Sequence, residues 1–115
     1  MPRTAKLRPP SKSVTTPRNQ AAQPDVVSGV NLLFFSSNFC EPCMITRRVL
    51  VDVARLVPAA HIAELDVVRD SAEAERAGIT TTPTVVVVNG DGTEVFRAEG
   101  VPTVNQVLVA LAKAV

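Results

Sequence analysis

The chain has no tryptophan and no tyrosine, and its aromatic side chains are Phe34, Phe35, Phe39 and Phe96 alone. So small a set excludes the aromatic platforms on which single-stranded nucleic-acid binders stack bases, and no nucleic-acid partner is expected. Long apolar runs are missing as well: none approaches the roughly 18 residues that cross a bilayer as a helix. The N-terminal segment lacks the apolar stretch of about 7–15 residues that a secretory signal places after its basic start. There are only two cysteines, Cys40 and Cys43, and one histidine, His61. A structural zinc site wants four protein ligands, so no metal is expected within one chain. Without an export signal the cysteine pair is placed in the reducing cytoplasm. Structural disulfides are rare there, and a close pair is more often catalytic or metal-binding.

What is present describes one soluble domain with an arm. The 115 residues are 46% hydrophobic and 20% charged, a composition with enough apolar material for a core. The net charge of +1 conceals an asymmetry. Arg3, Lys6, Arg8, Lys12 and Arg18 lie before Asp25, the first acidic residue. Pro2, Pro9, Pro10, Pro17 and Pro24 share that stretch with Ser, Thr and Gln. Such a segment has too little apolar surface to offset its ordering entropy. Residues 1–28 are therefore expected to be a disordered, basic, proline-rich tail, and residues 29–115 the folded domain. The simplest role for the tail is a solvated arm. Weak binding to an anionic partner or a cleaved presequence are the alternatives.

The body alternates strand and helix patterns. Val30 to Phe35 is almost continuously apolar and reads as a buried central strand, ended by Ser36-Ser37-Asn38. From Pro42 the period becomes helical, with Ile45, Val49, Leu50, Val53, Leu56 and Val57 on one stripe. Arg47, Arg48, Asp52 and Arg55 lie off that stripe, most simply on a solvated face. Pro42 suits a first helical turn and Pro58 closes the element. His61 to Val67 alternates as a second strand. Asp70 and Glu73 have capping-box spacing before a short helix that stops at Gly78. Thr84 to Val88 is a β-branched strand, and Asn89-Gly90-Asp91-Gly92 turns it into a return strand over Thr93 to Ala98. Thr103 and Gln106 form a second capping-box pair ahead of a helix running to the C-terminus. The order predicts an α/β fold: a central mixed sheet built as βαβ then ββα, flanked by helices.

Cysteines at i and i+3 in a first helical turn can close a disulfide ring. A thiol at a helix N-terminus faces unsatisfied N–H groups and a partial positive charge, which favour the thiolate. Thiols so placed have pKa values down to about 3.5–7.5, against about 8.5 when free. Cys40, at the helix mouth, is thus the expected nucleophile and Cys43, one turn inside, the resolving thiol. Inert cysteines, a metal site completed by His61, and a dimer sharing an iron–sulfur cluster remain as alternatives.

Phe34-Phe35-Ser36-Ser37-Asn38-Phe39-Cys40-Glu41-Pro42-Cys43 resembles the active-site strand and turn of thioredoxins. Ile79-Thr80-Thr81-Thr82-Pro83-Thr84 resembles their cis-proline loop, and the hairpin, Gly100 and final helix follow in matching order. The similarity covers about residues 30–115. It implies a thioredoxin-like fold and a thiol–disulfide oxidoreductase that reduces protein disulfides with no bound cofactor. Phe39, Pro42, Thr82, Pro83 and Gly100 would line a shallow substrate groove, with Pro83 in the cis form. The implied partners are disulfide-containing proteins and a thiol reductase or dithiol donor, with the chain a monomer free of membranes.

Several positions depart from that family. Phe39 stands where thioredoxins usually carry Trp, and Glu41 where they carry Gly, so Glu41 is expected to modulate Cys40. The buried acid that assists the second cysteine falls at Phe34, and its usual lysine partner near Ile62, so this pair is absent. Met44 replaces a basic residue. Gly100 stands alone where glutaredoxins have paired glycines, which disfavours a glutathione-dependent reading. A non-catalytic, redox-dependent binding or assembly module is the alternative function. His61 is read as a strand-start residue and Asp66 as a loop-forming or capping acid.

Overall fold

The computed structural model describes residues 29–115; the expected tail, residues 1–28, lies outside them. The described chain runs β1 (Asn31–Ser36), α1 (Glu41–Leu56), β2 (His61–Asp66), α2 (Ser71–Arg76), β3 (Thr84–Val88), β4 (Glu94–Glu99) and α3 (Val104–Ala114). This is the expected βαβ–ββα order, with boundaries moved by one or two residues. The sheet order is β2-β1-β3-β4. β1 and β2 are parallel, as a helical crossover requires, while β3 runs antiparallel to both β1 and β4.

The two-residue period of β1 distributes its side chains between two cores. Leu32 and Phe34 face α1 and α3, where they join Val85 and Val87 of β3, Leu50 and Val53 of α1, and Val107 and Leu111 of α3. Phe35 faces the other way, with Val86, Val88, Leu65 and Ala74. Because both sides of the centre are covered, all five residues of β3 are buried. Each large side chain removed from water here contributes about 1.5–3 kcal/mol. The first core holds the floor under α1, and so fixes where the N-terminus of that helix points.

The two capping-box expectations part company. At α3, the Thr103 hydroxyl accepts from the Gln106 backbone N–H at 3.0 Å and the Gln106 side-chain Oε1 accepts from the Thr103 N–H at 2.9 Å. At α2, Asp70 makes no side-chain cap bond. Its carboxylate accepts from the Asp66 N–H instead, at 3.0 Å, and pairs with Arg69. Asp66 in turn accepts from the Val68 and Arg69 N–H groups. These backbone bonds hold its carboxyl below the usual range and make it the loop-forming acid expected. In the hairpin, Asn89 Oδ1 accepts from Asp91 and Thr93 N–H groups, and Gly92 takes the left-handed conformation, φ 86°.

Candidate active site

The strand-to-helix corner is shaped by Phe39, which adopts φ 58°. That region costs a non-glycine residue on the order of 1–3 kcal/mol, and the turn throws the Phe39 ring fully into solvent. Cys40 follows as the N-cap of α1, in extended conformation. Its carbonyl accepts from the Cys43 and Met44 N–H groups at 3.1 and 3.3 Å. Its sulfur accepts from the Cys43 N–H at 3.2 Å, taking the place of a capping oxygen. Pro42, in the first turn, has no N–H that would need an acceptor.

Cys40 and Cys43 are joined by a disulfide, with Cα atoms 5.2 Å apart. Their surroundings differ sharply. Cys40 is half-buried at the rim, whereas Cys43 is only 1% exposed and belongs to the core beneath α1. Of the residues expected around them, Phe39 and Pro42 are exposed, Thr82 and Gly100 half-buried, and Pro83 buried. The Thr82–Pro83 peptide is cis. The Thr82 hydroxyl lies 3.9 Å from Cys40 Sγ, and the Pro83 carbonyl accepts from the Gly100 N–H at 2.8 Å. An open depression of about 620 Å³ beside Cys40 is lined by Phe39, Glu41, Met44, Ile45 and Arg48 among others. It shares Phe39 with the expected groove but lies toward α1 rather than toward Thr82, Pro83 and Gly100.

The charges near the site are arranged in a way the sequence did not disclose. The β1–β2 register sets Glu64, not Ile62, beside Phe34. The Glu64 carboxylate accepts from Ser36 Oγ at 2.8 Å and from Arg47 Nε and Nη2 at 2.9 and 2.6 Å. Arg47 also lies over the Phe34 ring, 5.8 Å from its centroid, in cation–π range. Its hydrogen bonds, helped by the Ser36 hydroxyl, hold the Glu64 carboxyl below the usual glutamate range. Arg47 is thus not simply a solvated residue. Ser37, read only as the end of a strand, places its Oγ 2.7 Å from Thr82 Oγ1. Serine just before a C-x-x-C turn was the one sequence signal for it.

Among the described residues, no group of His, Cys, Asp and Glu is arranged to hold a metal ion, and no helix is long and apolar enough to cross a membrane. His61 begins β2, half-buried.

No protein-family profile matches the chain. A thioredoxin of Chlamydia muridarum is 30% identical over 88 residues, which cover 76% of this chain and 85% of that protein. Among solved structures, the thioredoxin of Fasciola hepatica superposes with a TM-score of 0.70 at 21% identity, over 84% of this chain and 90% of its own. Mitochondrial thioredoxin 3 of Saccharomyces cerevisiae, in its oxidized form, gives 0.68 at 18% identity, over 76% and 81%.

Proposed function

The chain belongs to the thioredoxin family, and from that premise we propose that Cys40 is the attacking thiol and Cys43 the resolving one. The chain is a thiol–disulfide oxidoreductase, and its chemistry requires one exposed, stabilised thiolate and one sheltered thiol within reach. The observation that carries the assignment is the contrast between the two sulfurs. Cys40 stands at the rim with its sulfur accepting a backbone N–H, while Cys43 is sealed in the core.

In the reducing direction, the Cys40 thiolate attacks one sulfur of a substrate disulfide. That S–S bond breaks and the other substrate sulfur leaves as a thiolate, which takes up a proton. Cys43 then loses its proton and attacks Cys40 Sγ, breaking the mixed disulfide and releasing the second substrate sulfur. Two electrons pass to the substrate, and the chain is left with the Cys40–Cys43 bond seen in the structure. Another turnover needs a dithiol donor or thiol reductase to return them. Lowering a thiol pKa from about 8.5 to 7 raises its thiolate fraction at neutral pH about 16-fold, and lost nucleophilicity takes back about fivefold. The larger effect of a stabilised Cys40 thiolate is on leaving-group quality and redox poise.

Substrates are read as protein disulfides. Exposed Phe39 and Pro42 offer apolar contact, and Thr82, Pro83 and Gly100 form the opposite wall, where the Thr82 backbone pairs with an extended segment. Glu41 modulates Cys40 from the first turn of α1. We read residues 29–115 as the catalytic domain, acting as a monomer in the cytoplasm, and residues 1–28 as a basic arm.

Intact mass after exposure to a protein disulfide tests the assignment. The Cys43→Ser protein should retain substrate as a stable mixed disulfide, and the Cys40→Ser protein should retain none. Adduct formation preferring Cys43 would reverse the roles. A rate of disulfide reduction no higher than that of free dithiol would point to the binding-module reading instead.

A further inference from the structure

A second set of groups reaches the reacting sulfur. Ser37 follows β1, and Thr82 lies 45 residues later, immediately before Pro83. Their hydroxyl oxygens are 2.7 Å apart, and Thr82 Oγ1 is 3.9 Å from Cys40 Sγ, within reach of a large sulfur acceptor. A hydroxyl carries one hydrogen. If Thr82 gives its hydrogen to Cys40 Sγ, the short contact to Ser37 must be made with the hydrogen of Ser37. Both bonds exist together only when the donors run from Ser37 to Thr82 to Cys40.

We propose that Ser37 is a positioning residue that turns the Thr82 hydroxyl toward the Cys40 sulfur, so that the two hydroxyls stabilise the thiolate as one unit. The proposal rests on Cys40 being the attacking thiol. A disulfide sulfur is a weak acceptor, whereas an ionised acceptor forms bonds roughly twice as strong as neutral ones. The relay therefore acts mainly on the reduced protein. A hydroxyl that is itself accepting a hydrogen bond is a better donor, which is why the effect of Ser37 passes through Thr82. The charged groups lining the depression beside Cys40 are Glu41, Arg47 and Arg48, all on α1. Two flanking segments, Ser36 to Asn38, of which Ser37 and Asn38 also line the depression, and Thr80 to Pro83, carry no ionisable side chain. From these segments, the Thr82 hydroxyl reaches Cys40 Sγ and the Ser37 hydroxyl reaches Thr82, where they can answer a developing negative charge.

The experiment is a double-mutant cycle in the full-length Cys43→Ser protein, reading the Cys40 pKa from thiolate absorbance and, separately, from the pH profile of its alkylation rate. Hydrogen bonds to charged groups are worth enough to move a pKa by about one unit. Thr82→Val is therefore expected to raise the Cys40 pKa by about one unit, a loss of about tenfold in thiolate at a pH below it. Ser37→Ala should raise it by about half a unit, about threefold. Ser37→Ala in the Thr82→Val background should add nothing, because its route to the sulfur is gone. Thr82→Ser and Ser37→Thr keep the hydroxyls and should keep the pKa.

A simple structural tie between β1 and the Pro83 loop would instead lower the melting temperature and leave the pKa in place. That result would overturn the proposal, as would equal shifts from Ser37→Ala with and without Thr82. If Thr82→Val fails to fold, Ser37→Ala beside Ser37→Thr decides alone. Faster alkylation of Cys43 in the Cys40→Ser protein than of Cys40 in the Cys43→Ser protein would show separately that the underlying assignment, rather than the relay, had failed.

Discussion

Arg47 holds Glu64 by a two-point grip, its Nε 2.9 Å from one carboxylate oxygen and its Nη2 2.6 Å from the other. The pair bridges α1 and β2 across the edge of the Phe34 core, and its two side chains are 48% and 36% exposed. Solvent screening at that exposure limits an ion pair to about 0.2–1 kcal/mol. The contribution depends on pH in a definite sense. The folded pKa of Glu64 lies below its unfolded value, which is about 4.3. The stabilisation is therefore present above that value and is lost as pH falls through the lower, folded pKa. Glu64→Gln should cost about 0.5 kcal/mol at neutral pH, and the gap should close as pH drops below the ordinary glutamate range. Denaturant unfolding at a series of pH values checks this; a gap unchanged in acid would mean that packing, not charge, is lost.

Because Arg47 is committed to Glu64, it is not the neutralising partner of Glu41. A carboxylate within about 6 Å of a thiolate, at an effective dielectric near 40, repels it by about 1.4 kcal/mol, about one pKa unit. Glu41→Gln should lower the Cys40 pKa and make the pair more oxidising, since the reduced form is then the better stabilised one. Thiolate absorbance against pH gives the first quantity and equilibration with glutathione the second. A pKa that stays or rises in this variant would show that Arg48 already neutralises Glu41.

Phe34 is 1% exposed, packed between the sheet and α1 and covered by the Arg47 guanidinium. Truncating such a ring leaves both a lost transfer energy and a cavity. Phe34→Ala should therefore cost about 3–5 kcal/mol, read as a shift in the urea midpoint with little change in slope. A cost below about 1 kcal/mol would mean that the core collapses into the space.

The reciprocal bonds of Thr103 and Gln106 close the first turn of α3. Removing the hydroxyl leaves the Gln106 N–H without that partner, so Thr103→Ala should cost about 1 kcal/mol. Thermal unfolding measures it, and Thr103→Ser should restore most of the loss because serine caps as well as threonine.

Both capping-box spacings look alike in sequence, yet only Thr103 caps its helix. Asp70 has two competing neighbours, the Asp66 N–H and Arg69, and the turn after β2 brings its carboxylate to them. Spacing states which bond a side chain can make; the path of the preceding loop states which one it does make. The same distinction explains Arg47 and Arg48. Adjacent in sequence, alike in chemistry and both lining the depression beside Cys40, they separate when α1 is laid across the sheet, which sets Arg47 against Glu64.

The likeness to thioredoxins implied the proline loop at the cysteines, while the residue pattern by itself determined the seven elements and the placement of Cys40 and Cys43 on the first turn of a helix. Those features depend on hydrophobic period, β-branching and turn chemistry, which act over a few residues and can be read along the chain. Only the tertiary structure decided that Glu64 stands beside Phe34, that Arg47 reaches it, and that the Ser37 hydroxyl meets Thr82. Each of these joins segments 17 to 45 residues apart. They follow from strand register and from the angle at which α1 crosses the sheet, both set by how the whole core packs rather than by any local stretch of sequence.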